Sequence, residues 1–172
     1  EKRVLGVIRP SVEALNTYSL NGHVGILATR GTVASGSYPI EVGKLYGEER
    51  FRITQLACPM WVPLVENNEL DGEGAIYFVR KYIQELLGTD PEIDTIILGC
   101  THYPFVRKVI EQIVGDQVEI FDGGAGTARE MRRRLAADGL LREATGRKGK
   151  IEFHNSDLTK EREVLFEKLL NY

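Results

Sequence analysis

Cysteine is scarce in this sequence: the 172 residues hold two, Cys58 and Cys100. Two thiols cannot make the disulfide framework of a small secreted domain. Neither sits in a C-x-x-C or C-x-x-H pattern, so no metal site is expected. Long apolar runs are missing too. The longest are about five residues, far short of the roughly 20 needed to cross a bilayer, so no membrane partner is expected. Positive charge is not in excess: the net charge is -3 and the pI ≈ 5.7. The one basic run, Arg132-Arg133-Arg134, reads as the solvated face of a helix, and no nucleic-acid partner is expected. No basic-then-apolar leader opens the chain, and free thiols suit a reducing cytoplasm. What remains is a globular chain, 42% hydrophobic, long enough for one good core or for one domain with part of another.

Short apolar runs alternate with helical patterns along the chain. Val4–Ile8 reads as a first strand stopping before Pro10, with Ser11 as N-cap of a short helix through Ala14–Leu15. Val24–Ala28 is a second strand, followed by Thr29–Thr32 and a helix near Ser37–Tyr46 with Glu41 and Lys44 exposed. Phe51–Ala57 is a third strand. Cys58 to Pro63 reads as irregular, and Gly72–Leu87 as a long amphipathic helix stopped by Gly88. Thr95–Leu98 is a fourth strand, apolar on both faces as the interior of a parallel sheet requires. Pro104 then opens a helix, Val118–Phe121 is a fifth strand, and Thr127–Ala137 a helix ended by Gly139. Glu143–Lys150 resembles a linker, and Ile151–Phe153 with Leu158–Leu170 a last strand–helix pair. This alternation predicts an α/β fold with an open, mostly parallel sheet flanked by helices.

In such sheets ligands bind beyond the carboxyl ends of the strands. Three of these ends carry small polar or reactive residues: Thr29 and Thr32, Cys58-Pro59 leading to Glu66, and Cys100-Thr101-His102. The turn Gly99-Cys100-Thr101-His102-Tyr103-Pro104 is the most informative stretch. Amides at a helix start can hold a carboxylate, and a helix start and a neighbouring imidazolium both stabilise a thiolate. Each residue also has a plainer reading. Cys100 fits a buried small hydrophobe, His102 a local cap, Thr29 and Thr32 turn or N-cap residues, and Glu66 a solvated carboxylate. Cys58, before a proline, reads as structural. Gly123-Gly124 with Gly126 lacks the Lys-Ser/Thr of a phosphate loop.

Taken together and in order, these pieces resemble the glutamate racemases of the aspartate/glutamate racemase superfamily. The resemblance is carried by Gly6-Val7-Ile8 with Pro10; by Val24-Gly25 through Thr29, Thr32, Ser35 and Tyr38; and by Ala57-Cys58-Pro59 with Val62-Pro63-Leu64-Val65-Glu66. It continues through Leu98-Gly99-Cys100-Thr101-His102-Tyr103-Pro104 and Thr127-Ala128-Arg129-Glu130. His102 favours the glutamate branch, since aspartate racemases usually place Glu after the Cys-Thr pair.

The resemblance implies a two-lobed enzyme that interconverts L- and D-glutamate, supplies D-glutamate for peptidoglycan, and uses neither pyridoxal phosphate nor a metal. Two cysteines on opposite faces of the substrate Cα exchange the proton. Cys100 matches the second of them, His102 the residue assisting it, and Glu66 a carboxylate of the same catalytic face. Thr101, His102, Thr29 and Thr32 match substrate contacts. The family's Asp-Ser-Gly, Tyr-Gly and Cys-Asn-Thr segments have no counterpart in this sequence, and Cys58 matches a Cys-Pro apart from the chemistry. His154-Asn155-Ser156 stands where Thr-Thr-Gly is usual. Residues up to Asp122 therefore read as the second lobe, and residues from Gly123 onward as a segment returning to the first. A homo-oligomer, formed through residues 123–172, is a further expectation. Another racemase of the superfamily, acting on aspartate or a hydantoin, and a non-catalytic α/β binding domain are the alternatives.

Overall fold

The computed structural model describes residues 4–142, 146, 149–157 and 159–171. Most of the linker-like Glu143–Lys150 stretch, and Leu158 of the last helix, fall outside them. The chain divides into two compact units, residues 1–131 and 132–172.

The first unit is built on four parallel strands in the order β2-β1-β3-β4: β1 (His23–Ala28), β2 (Arg52–Ala57), β3 (Thr95–Leu98) and β4 (Glu119–Asp122). The α/β class and the parallel sheet are as the alternating pattern predicts, with one strand fewer. Val4–Ile8 is not a strand. Residues 4–6 have no regular structure, and helix α1 runs Ile8–Glu13. Among the described residues no strand pairs with this segment, and Val4 is 93% exposed. Pro10 falls in the first turn of α1, where its missing N–H costs nothing. Ser11 is not an N-cap but a buried helical residue whose hydroxyl donates to the Val7 carbonyl at 3.3 Å.

One face of the sheet packs against α1, α2 (Leu15–Tyr18) and α4 (Ser37–Tyr46), burying Val12, Leu15, Val42 and Phe51 with Val24, Ile26 and Ile97. The short helix α3 (Arg30–Ser35) precedes α4, and Gly36 separates the two with φ +61, which a glycine adopts freely. Glu41 is more buried than expected because it pairs with Arg9 at 3.1 Å. On the other face lie α6 (Glu73–Thr89) and α7 (Arg107–Val114), which pack on each other. A Cβ at Gly25 of β1 would come 2.7 Å from the Leu86 side chain of α6. Glycine here lets the long helix lie close to the sheet.

Two expected boundaries move. Gly88 does not stop α6: the helix continues to Thr89, and the Asp90 N–H closes it on the Leu86 carbonyl at 3.1 Å. The stretch after Cys58 is not irregular throughout but holds helix α5 (Trp61–Glu66), with Pro63 tolerated in its first turn.

The second unit contains the end of α8 (Gly124–Ala137) and α9 (Lys160–Leu170), which Thr159 caps by accepting from Arg162 N–H. Ile151–Phe153 is not a strand: it has no partner strand among the described residues, and Phe153 stacks its ring on Phe166 at 4.1 Å.

Two outcomes test this packing. Ile97→Ala removes a fully buried side chain from a central strand and is expected to cost about 2–5 kcal/mol in urea unfolding. Asp94 accepts from Ser19 Oγ at 2.8 Å and from the Leu20 and Asn21 N–H groups at 2.7 and 2.8 Å. Burial raises its carboxyl, but these bonds outweigh that and hold it below the ordinary range. Its stabilisation is therefore present above an ordinary carboxyl value of about 3.9 and is lost as pH falls through the lower folded value. Asp94→Asn should lower the melting temperature at pH 7, with the gap to the parent chain closing as pH drops below about 3.9.

Candidate active site

Parallel strands that stop together leave their carboxyl ends in one row. β1 ends at Ala28 and β2 at Ala57, the register pairing these two directly, and Leu98 of β3 pairs with Leu27 and Asp122. The cleft beyond this row has a volume of ≈ 480 Å³, within the range of small-molecule sites.

Cys100 reaches the cleft because Gly99 continues the ladder one step past β3. The Gly99 N–H donates to the Leu27 carbonyl at 2.8 Å. A Cβ at Gly99 would sit 3.1 Å from that carbonyl oxygen, 3.1 Å from the Tyr38 ring and 3.2 Å from Ala28 Cβ. Only glycine leaves this crossing unstrained. The turn is then latched from behind: Tyr103, fully buried, donates its hydroxyl to the Cys58 carbonyl at 3.0 Å and packs its ring edge-on to Trp61 at 4.7 Å. Burial pushes the Tyr103 hydroxyl well above its ordinary range. The expected helix at Pro104 is a single 3-10 turn, Tyr103–Val106, and the α-helical ladder of α7 begins only at Arg107. The charge of a long helix end is thus displaced from Cys100, and the nearer electrostatic partner is the His102 ring.

Thr32, Cys100 and Thr101 line the cleft directly. Thr29 stands one bond behind, as N-cap of α3, with its hydroxyl 3.1 Å from that of Thr32. It therefore fills the plain capping role while also orienting Thr32. The His102 Nδ1 lies 3.8 Å from Cys100 Sγ and 3.5 Å from Thr101 Oγ1, so the two compete for one ring nitrogen. Its Nε2 lies 3.4 Å from Glu66 Oε1, at the end of α5. Thiol, imidazole and carboxylate thus follow one another outward from the cleft. These separations are long for hydrogen bonds.

The opposite wall comes from residues that strand-end reasoning did not single out. Tyr38 of α4, Ser11 of α1 and the stretch Asp122-Gly123-Gly124 with Thr127 all line the cleft. Asp122 ends β4 and accepts from the Gly124 N–H at 2.7 Å, so the fourth strand end belongs to the row as well. Gly123 is pressed against α1: a Cβ there would lie 2.5 Å from Ser11 Oγ and 2.6 Å from the Val7 carbonyl. Tyr38 is buried, which raises its hydroxyl above the ordinary range.

Cys58, at the neighbouring strand end, is fully buried, and burial pushes its thiol far up. Cys100 is partly exposed.

An open parallel α/β sheet with a thiol-bearing cleft beyond its strand ends has the form of a small-molecule enzyme domain. A family model described as Asp/Glu/Hydantoin racemase matches residues 2–131, and the chain belongs to that family. A glutamate racemase of Bacillus cereus is 42% identical over 144 residues, covering 81% of this chain and 51% of its own length. One of Clostridium perfringens is 38% identical over 149 residues, covering 87% and 55%. Among solved structures, a glutamate racemase isoform of Bacillus anthracis matches with a TM-score of 0.87 at 30% identity, over 98% of this chain and 61% of that one. The Escherichia coli glutamate racemase, solved in complex with L-glutamate and the activator UDP-MurNAc-Ala, matches at 0.66 and 26% identity, over 95% and 58%. The chain thus spans about half the length of the curated relatives it matches.

The two thiols should separate cleanly by alkylation. Iodoacetamide is expected to label Cys100 in the folded chain and Cys58 only after unfolding, with Cys58 still protected as pH rises through the ordinary thiol range. Peptide mass spectrometry of timed samples reads this; equal rates would contradict the burial difference.

Proposed function

We propose that the whole protein carrying this chain is a glutamate racemase, and that Cys100 is one of two thiols that exchange the α-proton. The observation that supports this best is the row from Cys100, which lines a ligand-sized cleft, through His102 to Glu66, in a chain whose relatives bear that name. The Cys100 thiolate takes the α-proton of L-glutamate. An S–H bond forms, and the Cα–H electron pair spreads into the carboxylate as a transient carbanion. A thiol on the opposite face, supplied by the part of the protein outside this chain, returns a proton to give D-glutamate.

The chain's own groups have defined tasks in this scheme. Thr32 and Thr101 orient the substrate by hydrogen bonds, with Thr29 holding Thr32. His102, backed by Glu66, supports the charge of the Cys100 thiolate. An α-proton is a weak acid, so orientation and charge stabilisation in a site closed to water must supply the rate. No pyridoxal phosphate or metal is invoked. The reaction would supply D-glutamate for peptidoglycan, in the cytoplasm.

Residues 123–172 are assigned to the segment returning to the first lobe. Leu140, Ile151 and Val164 are 69%, 67% and 62% exposed, which leaves them available for such packing. In the whole protein they face the first lobe or a second copy of the chain.

Chirality-resolved analysis of glutamate after incubation with the whole protein tests the reading. L- and D-glutamate should each approach an equal mixture, and Cys100→Ser should reduce the rate by three orders of magnitude or more. Racemisation of aspartate or a hydantoin in place of glutamate would move the assignment within the family. These 172 residues alone should show no turnover above buffer. Turnover by them would contradict the two-thiol scheme.

A further inference from the structure

Cys100 leaves the sheet on a turn that precedes the α-helical ladder: Tyr103–Val106 is a 3-10 turn, and α7 begins only at Arg107. Hydrogen bonds of the 3-10 kind have poorer geometry than those of an α-helix, so such a turn is weakly held by itself. Here it is held by four hydrogen bonds that close into a ring. The Gly99 N–H donates to the Leu27 carbonyl at 2.8 Å, and the Cys58 N–H to the Ala28 carbonyl at 2.9 Å. The Tyr103 N–H donates to the Cys100 carbonyl at 3.1 Å, and its hydroxyl to the Cys58 carbonyl at 3.0 Å. Leu27 and Ala28 are neighbours in β1, and Gly99 and Cys100 are neighbours after β3. Tyr103 therefore closes the ring, tying Cys100 to the end of β2 with both of its bonds.

This link is stiff. Tyr103 is fully buried and edge-on to Trp61 at 4.7 Å, and Trp61, also fully buried, is edge-on to Tyr82 at 6.1 Å. Close packing of this kind fixes a rotamer. Burial raises the Tyr103 hydroxyl far above its ordinary range, so it stays a donor at neutral pH. Tyr103 is not among the residues that line the cleft. What it does there it does through Cys100.

We propose that Tyr103 is a positioning residue for the proton transfer: its hydroxyl, fixed on the Cys58 carbonyl, holds the Cys100 thiol where it meets the substrate Cα. This rests on the two-thiol racemase reading given above. An error of about 1 Å in such a placement can cost about 10²-fold in rate. The second thiol of that scheme comes from outside this chain and is not held by the ring. Loss of the hydroxyl is therefore felt on one face of the substrate.

Tyr103→Phe in the whole protein removes the bond and keeps the aromatic ring. The Cys58 carbonyl keeps a partner, since the Trp61 N–H also donates to it at 3.2 Å. The kcat should fall about tenfold or more in both directions, with KM changed by no more than roughly twofold. Substrates deuterated at Cα separate positioning from stability. The isotope effect should rise for L-glutamate, whose Cα bond Cys100 breaks. It should fall for D-glutamate, whose bond the other thiol breaks before Cys100 delivers a solvent proton. A smaller folded fraction lowers both rates and leaves both isotope effects alone. Val24→Ala, a fully buried site towards the far end of β1, is the control for this. Amide exchange at position 103, read by NMR, should be about tenfold faster in the Phe variant. Unchanged exchange, unchanged isotope effects, or the same asymmetry in Val24→Ala overturns the proposal and leaves the racemase reading standing. A parent protein that does not racemise glutamate overturns that reading, and the positioning role with it.

Discussion

The hydrogen bond from the Gly99 N–H to the Leu27 carbonyl, 2.8 Å long, decides where this protein can place a reactive group. It extends the pairing of β3 on β1 one residue past the last side chain that fits against the sheet. Cys100 is then the first residue released from the ladder. Because the strands are parallel, their ends lie in the same row, and residues following β1, β3 and β4 meet across one cleft, while Cys58 after β2 is buried beneath it. The Cys58 N–H bond to the Ala28 carbonyl, 2.9 Å, does the same for β2.

The two cysteines show how sharply such placement separates equal side chains. Both follow a strand end. Cys58 turns inward, where burial keeps its thiol protonated and its carbonyl serves as the acceptor for Tyr103. Cys100 turns outward, beside an imidazole with a carboxylate behind it. Stability of the turn comes from the first cysteine's surroundings, and the chemistry proposed here from the second's. Tyr103 couples them, since its hydroxyl bond spans the two strand ends.

The parts legible from the sequence were those set by local pattern. Thr95–Leu98 reads as a buried parallel strand because both faces are apolar, and the strand-end rule locates Cys100 and Thr101 from it and Thr32 from the end of Val24–Ala28. The parts that were not legible depend on distant partners. Val4–Ile8 has the pattern of a strand but pairs with none among the described residues, and its last residue joins a helix instead. Trp61–Glu66 is helical despite Pro63, because a proline in the first turn breaks no bond. Gly88 looks like a stop, yet the α6 ladder runs past it to Asp90. Tyr38 and Ser11 reach the cleft from helix faces, and nothing local marks them. Asp122 follows the strand-like run Val118–Phe121 and so also stands at a strand end, where the same rule places it.

The central claim is that Cys100 moves the α-proton of a bound amino acid. Proton NMR of L-glutamate incubated with the whole protein in deuterium oxide tests this most directly. The account predicts loss of the Cα–H signal as deuterium enters, and its abolition by Cys100→Ser. Retention of the signal with the unsubstituted protein, or exchange that persists unchanged in the serine variant, would contradict it.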